Sequence, residues 1–259
     1  MIDKAAPALS SRNLLLHSQV GGEVPAMIVE PGVGGGPFPA VVFGGEAMGP
    51  NRFSRQTAEA VAALGFVTIT PDYYRGSGPS RPDDYDDFTE VAAAIAQLDF
   101  RRATFDVLAG VDWARGQPHI DADRVVLWGY CTGATLAMFA SALDRRIAAT
   151  LLFFPSQPSF PEITEKRPVS ARDLLWAIRS PVLLISGGDD PILPPDVIAD
   201  LRARLKMAAI RHEVHVYKGA GHAFTGEARN LHHAEATRHS WSVANSFLAD
   251  VLSMRAADQ

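Results

Sequence analysis

The chain holds a single cysteine, Cys131, among 259 residues. No disulfide can form within it, and a lone thiol suits a reducing compartment. There is no C-x-x-C pair and no second set of ligand residues, so no metal site is expected. No uninterrupted apolar run reaches the roughly 20 residues of a membrane span. The opening stretch, MIDKAAPALSSRN, has no apolar signal-peptide core. These absences predict a cytoplasmic protein with no membrane partner. Basic residues are the minority, 24 Lys and Arg against 29 Asp and Glu, for a formal net charge of −5. A dedicated nucleic-acid binder carries a basic face, so no nucleic-acid partner is expected. With 47% apolar and 20% charged residues, the composition is that of a globular protein rather than a disordered one.

A chain of this length buries roughly 70–75% of its unfolded surface without staples. No linker divides it, so one domain over 1–259 is expected. Short apolar, β-branched runs predict strands at Leu14–Gln19, Pro25–Glu30, Pro39–Gly44, Phe66–Pro71, Arg124–Gly129, Ala148–Pro155, Pro181–Gly187 and His212–Lys218. Gly21-Gly22 marks a hairpin turn between the first two. Helical patterns at Phe53–Leu64, Phe88–Gly116, Thr132–Leu143, Val197–Met207 and Leu231–Leu252 separate most of the rest, as βαβ units require. Runs such as Val125-Val126-Leu127-Trp128 are apolar throughout, the mark of strands covered on both faces. The fold class is therefore α/β, with a mostly parallel central sheet of about eight strands and helices on both faces. Pro155–Ser170, rich in Pro and Ser, reads as a surface loop or cap beside a site.

Some motifs point less far than they first suggest. Gly32–Gly36 is glycine-rich but precedes a strand and lacks the Lys-Ser/Thr of a phosphate loop, so it is read as a solvated turn. The run Asp83-Asp84-Tyr85-Asp86-Asp87 is read as a helix entry, where carboxylates are favoured. His212 and His215 sit three apart in a strand and face opposite ways. His232 and His233 diverge by about 100° on a helix. Neither pair makes a metal site.

The informative segment is Gly129-Tyr130-Cys131-Thr132-Gly133, between a strand and a helix. This is the G-x-S-x-G elbow with Cys as nucleophile. Such a turn exposes the nucleophile, and the helix N-terminus aims N–H groups and its positive dipole end at it, favouring thiolate and oxyanion. A nucleophile needs a base and an orienter. Asp190 follows at the end of one later strand, in Gly187-Gly188-Asp189-Asp190-Pro191, and His222 after the next, in Gly219-Ala220-Gly221-His222-Ala223-Phe224. Loops at strand C-terminal ends border the ligand crevice of an open α/β sheet. Asp190 is chosen over Asp189 because it directly precedes Pro191 and the turn.

The elbow, these two turns and Gly44-Gly45-Glu46-Ala47-Met48-Gly49 together resemble the dienelactone hydrolase family, over roughly Pro25 to Leu252. The resemblance implies an α/β-hydrolase fold and a Cys131-His222-Asp190 triad with no cofactor. It implies an oxyanion hole from the N–H groups of Thr132 and Ala47, and a Glu46 that holds the thiol proton until substrate arrives. It implies a small ester or lactone as partner; a monomer or homodimer is expected. Family members that act on dienelactone place an arginine four residues after the histidine, where this chain has Gly226. In Pro71-Asp72-Tyr73-Tyr74-Arg75 the family's arginine comes one residue early. Tyr74, Arg75 and Arg81 are the candidates for binding substrate, and neutral substrates are expected to be preferred. An acyltransferase on the same triad, or a binding protein that has lost catalysis, remain the alternatives.

Overall fold

The computed structural model describes residues 8–32, 34–226 and 231–257, with side chains of the last helix described to Ser253. Its strands are β1 Leu9–His17, β2 Glu23–Pro31, β3 Phe38–Gly44, β4 Val67–Pro71, β5 Ile120–Tyr130, β6 Thr150–Phe153, β7 Val182–Gly187 and β8 His212–Tyr217. They form one sheet in the order β1-β2-β4-β3-β5-β6-β7-β8. β1 pairs antiparallel with β2, and β2 with β4. Every other pairing is parallel. The helices are α1 Arg52–Ala62, α2 Thr89–Gln97, α3 Phe100–Arg115, α4 Thr132–Leu143, α5 Pro195–Met207 and α6 Ala234–Ala257, with a 3-10 segment at Ala171–Ala177.

Alternation along the strands sorts the core into two layers. Ala40, Val42, Val125, Leu127, Val182 and Leu184 face α3, α4 and α5. Val41, Phe43, Val126, Trp128, Leu183 and Ile185 face α1 and α6. Both faces being covered explains the continuous apolar runs. Because β3, β4, β5, β7 and β8 run in parallel, the loops after all five open on one edge of the sheet, where the candidate residues collect.

All eight expected strands are present, with shifted ends. β1 begins at Leu9, and the hairpin turn takes Ser18–Gly22, with Gly21 and Gly22 both at positive φ. The helix expected over Phe88–Gly116 is two helices. Leu98 turns extended at ψ 124°, and the Asp99 carboxylate accepts the Arg102 N–H at 2.9 Å, capping a new start. The described glycines of the Gly32–Gly36 run form an exposed β2–β3 connection; Val33 lies outside the described residues. Asp87 accepts the Thr89 N–H at 2.9 Å at the entry to α2. Among the described residues no helix is long and apolar enough to cross a membrane, and no cluster suits a metal ion.

Candidate active site

Cys131 stands between β5 and α4 with φ 52° and ψ −118°. A non-glycine residue held there costs roughly 1–3 kcal/mol, which the packing on both sides must offset. The flanking glycines show how tight that packing is. A Cβ on Gly129 would strike Ala134 and Gly133, and one on Gly133 would strike the backbone of Gly44 and Gly45. Small residues at these positions let the elbow sit directly against the loop that follows β3.

The His222 imidazole bridges Cys131 and Asp190. Its Nε2 lies 3.2 Å from Cys131 Sγ, and its Nδ1 lies 2.8 Å from Asp190 Oδ2. Asp190 is buried, and its other oxygen accepts the N–H groups of Ile192 and Leu193 at 2.8 and 3.0 Å. Those bonds aim the carboxylate at the ring. Asp189 is exposed. Burial alone would push the Cys131 thiol up, but His222 beside it outweighs burial and lowers it. Burial would pull His222 down, but the facing sulfur and the Asp190 carboxylate raise it well above its usual value. Both directions favour a thiolate–imidazolium pair.

Three further residues meet the sulfur's surroundings: Asn51 and Tyr85, which no local motif marks, and Ser156, at the head of the segment Pro155–Ser170 read above as a loop beside a site. Ser156, after β6, helps lower the Cys131 thiol, donates its N–H to the Cys131 carbonyl at 3.2 Å, and has its hydroxyl 3.2 Å from that of Thr132. Asn51 caps α1 through Oδ1 and donates from Nδ2 to Glu46 Oε1 at 3.0 Å. The Tyr85 hydroxyl donates to the same oxygen at 3.1 Å. Glu46 is thus buried beside the elbow, tied to the start of α1, and its charge opposes ionisation of Cys131. Ala47 and Met48 form a small apolar cluster with Val91 of α2, against which Cys131, Tyr85 and Ile95 pack.

The expected substrate-binding residues have other partners. The Arg75 guanidinium forks onto the fully buried Asp106 of α3 at 2.9 and 2.5 Å. It is committed to holding the turn after β4 and does not join the triad. Arg81 is exposed and pairs with Asp84 and Asp87 at 2.8 and 3.2 Å. The Tyr74 hydroxyl donates to the Ala47 carbonyl at 3.0 Å. Thr132 begins α4, where first-turn N–H groups lack helical partners. A cavity of about 390 Å³ lies between α1, α6 and the loop after β8. Its lining includes Phe53 of α1, Trp241 of α6, Tyr85, Tyr130, Thr225 and Gly226, and does not include Cys131, Asp190 or His222.

A doubly covered, mostly parallel sheet whose strand ends gather a cysteine elbow, a carboxylate and an imidazole in that chain order has the arrangement of an α/β-hydrolase. The sequence model of the dienelactone hydrolase family matches residues 24–252. The chain belongs to that family, and is a hydrolase of lactones or carboxylic esters. It is 28% identical over 207 residues to a Bradyrhizobium protein provisionally named 2-oxo-3-(5-oxofuran-2-ylidene)propanoate lactonase, covering 80% of this chain and 82% of that one. It is 28% identical over 222 residues to a provisionally named carboxymethylenebutenolidase of Yersinia pestis, covering 85% and 81%. In fold it resembles the crystal structure of a provisionally named dienelactone hydrolase of Klebsiella pneumoniae, with TM-score 0.84, 24% identity, and 93% and 99% of the two chains covered.

Proposed function

We propose that the chain hydrolyses lactones or small esters through a thioester on Cys131. The observation that carries this is the continuous chain Cys131–His222–Asp190, at 3.2 and 2.8 Å, on a left-handed elbow. The thiolate attacks the substrate carbonyl, and its oxygen becomes an oxyanion that accepts the N–H groups of Thr132 and Ala47. As the tetrahedral species collapses, the C–O bond breaks and the imidazolium of His222 protonates the leaving alkoxide. With a lactone the new hydroxyl stays attached to the acyl group, so the ring opens on the enzyme. Neutral His222 then takes a proton from water, which attacks the thioester. Collapse releases the acid and restores the thiolate–imidazolium pair. Asp190 holds the ring in the tautomer that both half-reactions need.

Glu46 is the proposed counterweight to His222 at the sulfur, opposing the thiolate without outweighing the imidazolium. Its negative charge near the sulfur disfavours the thiolate, while its bonds to Asn51 and Tyr85 keep it within the site. The cavity beside Gly226 is the proposed substrate pocket, because Tyr130 precedes the nucleophile and Tyr85 bonds Glu46. Its aromatic walls, Phe53, Tyr130, Phe153 and Trp241, suit a flat, largely neutral acyl or lactone ring. The family names of the two relatives above point to unsaturated lactones as the first substrates to assay. The test is a panel of lactones and aryl esters with and without iodoacetamide. Turnover abolished in step with alkylation of Cys131 supports the mechanism, and turnover that survives full alkylation refutes it.

A further inference from the structure

The loop Gly44-Gly45-Glu46-Ala47 begins with two glycines, whose backbones are the freest of any residue. A loop of that kind would not by itself hold one peptide plane at a fixed angle. Two hydroxyls from the turn after β4 do so. The Tyr73 hydroxyl lies 2.7 Å from the Glu46 carbonyl oxygen and 3.2 Å from that of Gly45. Tyr74 donates to the Ala47 carbonyl at 3.0 Å. Gly49 N–H shares the Glu46 oxygen at 3.1 Å. The two tyrosines are buried and their ring centroids are 4.7 Å apart.

The turn that carries them is itself fixed. Asp72 accepts the N–H groups of Tyr74 and Gly76 at 3.0 and 2.7 Å, and Arg102 donates to the Tyr73 carbonyl at 3.1 Å. β3 and β4 are parallel neighbours, so their following loops lie side by side and the hydroxyls can reach across.

The geometry matters because of which peptide is held. In a planar trans peptide, the C=O and the next residue's N–H point in opposite directions across one plane. The Glu46 carbonyl and the Ala47 N–H are such a pair. Fixing the oxygen fixes where the N–H points. We infer that Tyr73, braced by Tyr74, is a positioning residue that aims the Ala47 N–H at the reacting carbonyl oxygen. This rests on the thioester mechanism proposed above. Tyr73 also draws electron density toward the carbonyl oxygen, which makes that N–H the better donor. Burial raises its phenol well above 10, so the hydroxyl stays protonated wherever the enzyme works.

The experiment compares wild type, Tyr73→Phe, Tyr74→Phe and Cys131→Ala as full-length proteins on a neutral aryl ester. Four quantities are read: kcat, KM, the rate of Cys131 alkylation by iodoacetamide, and inhibition by butanal. Iodoacetamide reacts at a saturated carbon and builds no oxyanion. Butanal forms a tetrahedral hemithioacetal whose oxygen occupies the same site. For Tyr73→Phe, kcat should fall about 10- to 100-fold. That is less than the roughly 10²–10³ lost with an oxyanion donor itself, because the Gly49 bond remains. KM and the alkylation rate should stay within about twofold, and butanal inhibition should weaken in step with kcat. Tyr74→Phe should show the same pattern at smaller size, and it decides the matter if Tyr73→Phe does not fold. A kcat within twofold of wild type, or an alkylation rate that falls as far as kcat, overturns the inference. Full turnover by Cys131→Ala instead refutes the thioester mechanism, and the inference with it.

Discussion

At Cys131, burial and charge pull in opposite directions, and His222 decides the outcome. The thiol lies below its ordinary value and the imidazole well above its own, so the pair is ionised across the pH range between them. kcat/KM should therefore be bell-shaped. It rises with pH as the thiolate–imidazolium pair forms, below the free thiol's range, and falls as the imidazolium loses the proton that the leaving group needs. The two limbs belong to the pair rather than to either residue. Asp190→Asn removes a charge that raises His222, so the bell should narrow from both sides. Its kcat should fall by more than about tenfold, though by less than the roughly 10⁴ of a serine triad, because the nucleophile here is already ionised. Asp189→Asn should leave the profile in place, as its carboxylate is exposed to solvent. Cys131→Ala should reduce turnover to background. Cys131→Ser should keep little, since a hydroxyl is far harder to ionise than a thiol with a free pKa of about 8.5.

Among the elements, the turn after β4 was the least expected piece of architecture. Arg75, anticipated at the substrate, is the partner of a carboxylate with no exposed surface, Asp106, and Arg102 stands 3.7 Å from the same group. Removing one member of a buried pair costs about 3–5 kcal/mol. With Arg102 nearby, Arg75→Ala should fall near about 3 kcal/mol, read as a lowered urea midpoint at unchanged slope. A change in KM for an anionic substrate without loss of stability would instead return Arg75 to the binding site. The strands and the meeting of Cys131, His222 and Asp190 were legible because each carries a local pattern: apolar runs for buried strands, and a cysteine elbow, a carboxylate and an imidazole each at a strand end. Other features left no such pattern. The break at Leu98-Asp99 depends on one side-chain cap between two stretches that are both helical in composition. β1 starts early through the polar segment Ser10–Asn13, an edge strand that buries little. Asn51, Tyr73, Tyr85 and Ser156 reach the site through hydrogen bonds between loops distant in sequence. Their traces in the sequence were segments rather than roles: Pro155–Ser170, read as a loop beside a site, holds Ser156, and the Pro71-Asp72-Tyr73-Tyr74-Arg75 motif holds Tyr73.

For the whole molecule, the placement of charge predicts a preference for neutral substrates. Two of the three residues expected to bind substrate, Arg75 and Arg81, are paired with aspartates of the chain's own. The third, Tyr74, spends its hydroxyl on the Ala47 carbonyl. The position after His222 where dienelactone-acting family members carry arginine is Gly226, a buried residue on the wall of the 390 Å³ cavity. The cationic residue on that wall, Arg52, shares it with the carboxylate of Asp83, so the cavity carries no net charge from the pair. An anion moving into such a pocket loses hydration without a matched cation. A neutral lactone should therefore have the higher kcat/KM against a carboxylate-bearing one of equal size. One missing charge-assisted hydrogen bond corresponds to about 1.5–3 kcal/mol, or roughly 10- to 150-fold. Gly226→Arg supplies the missing cation on the same wall. It should raise kcat/KM for the anionic lactone, by about tenfold or more, and leave the neutral one unchanged or slower. If wild type already prefers the anion, Arg52→Ala is the next measurement. A loss confined to the anionic substrate would then move the anion's partner from the loop after β8 to the start of α1.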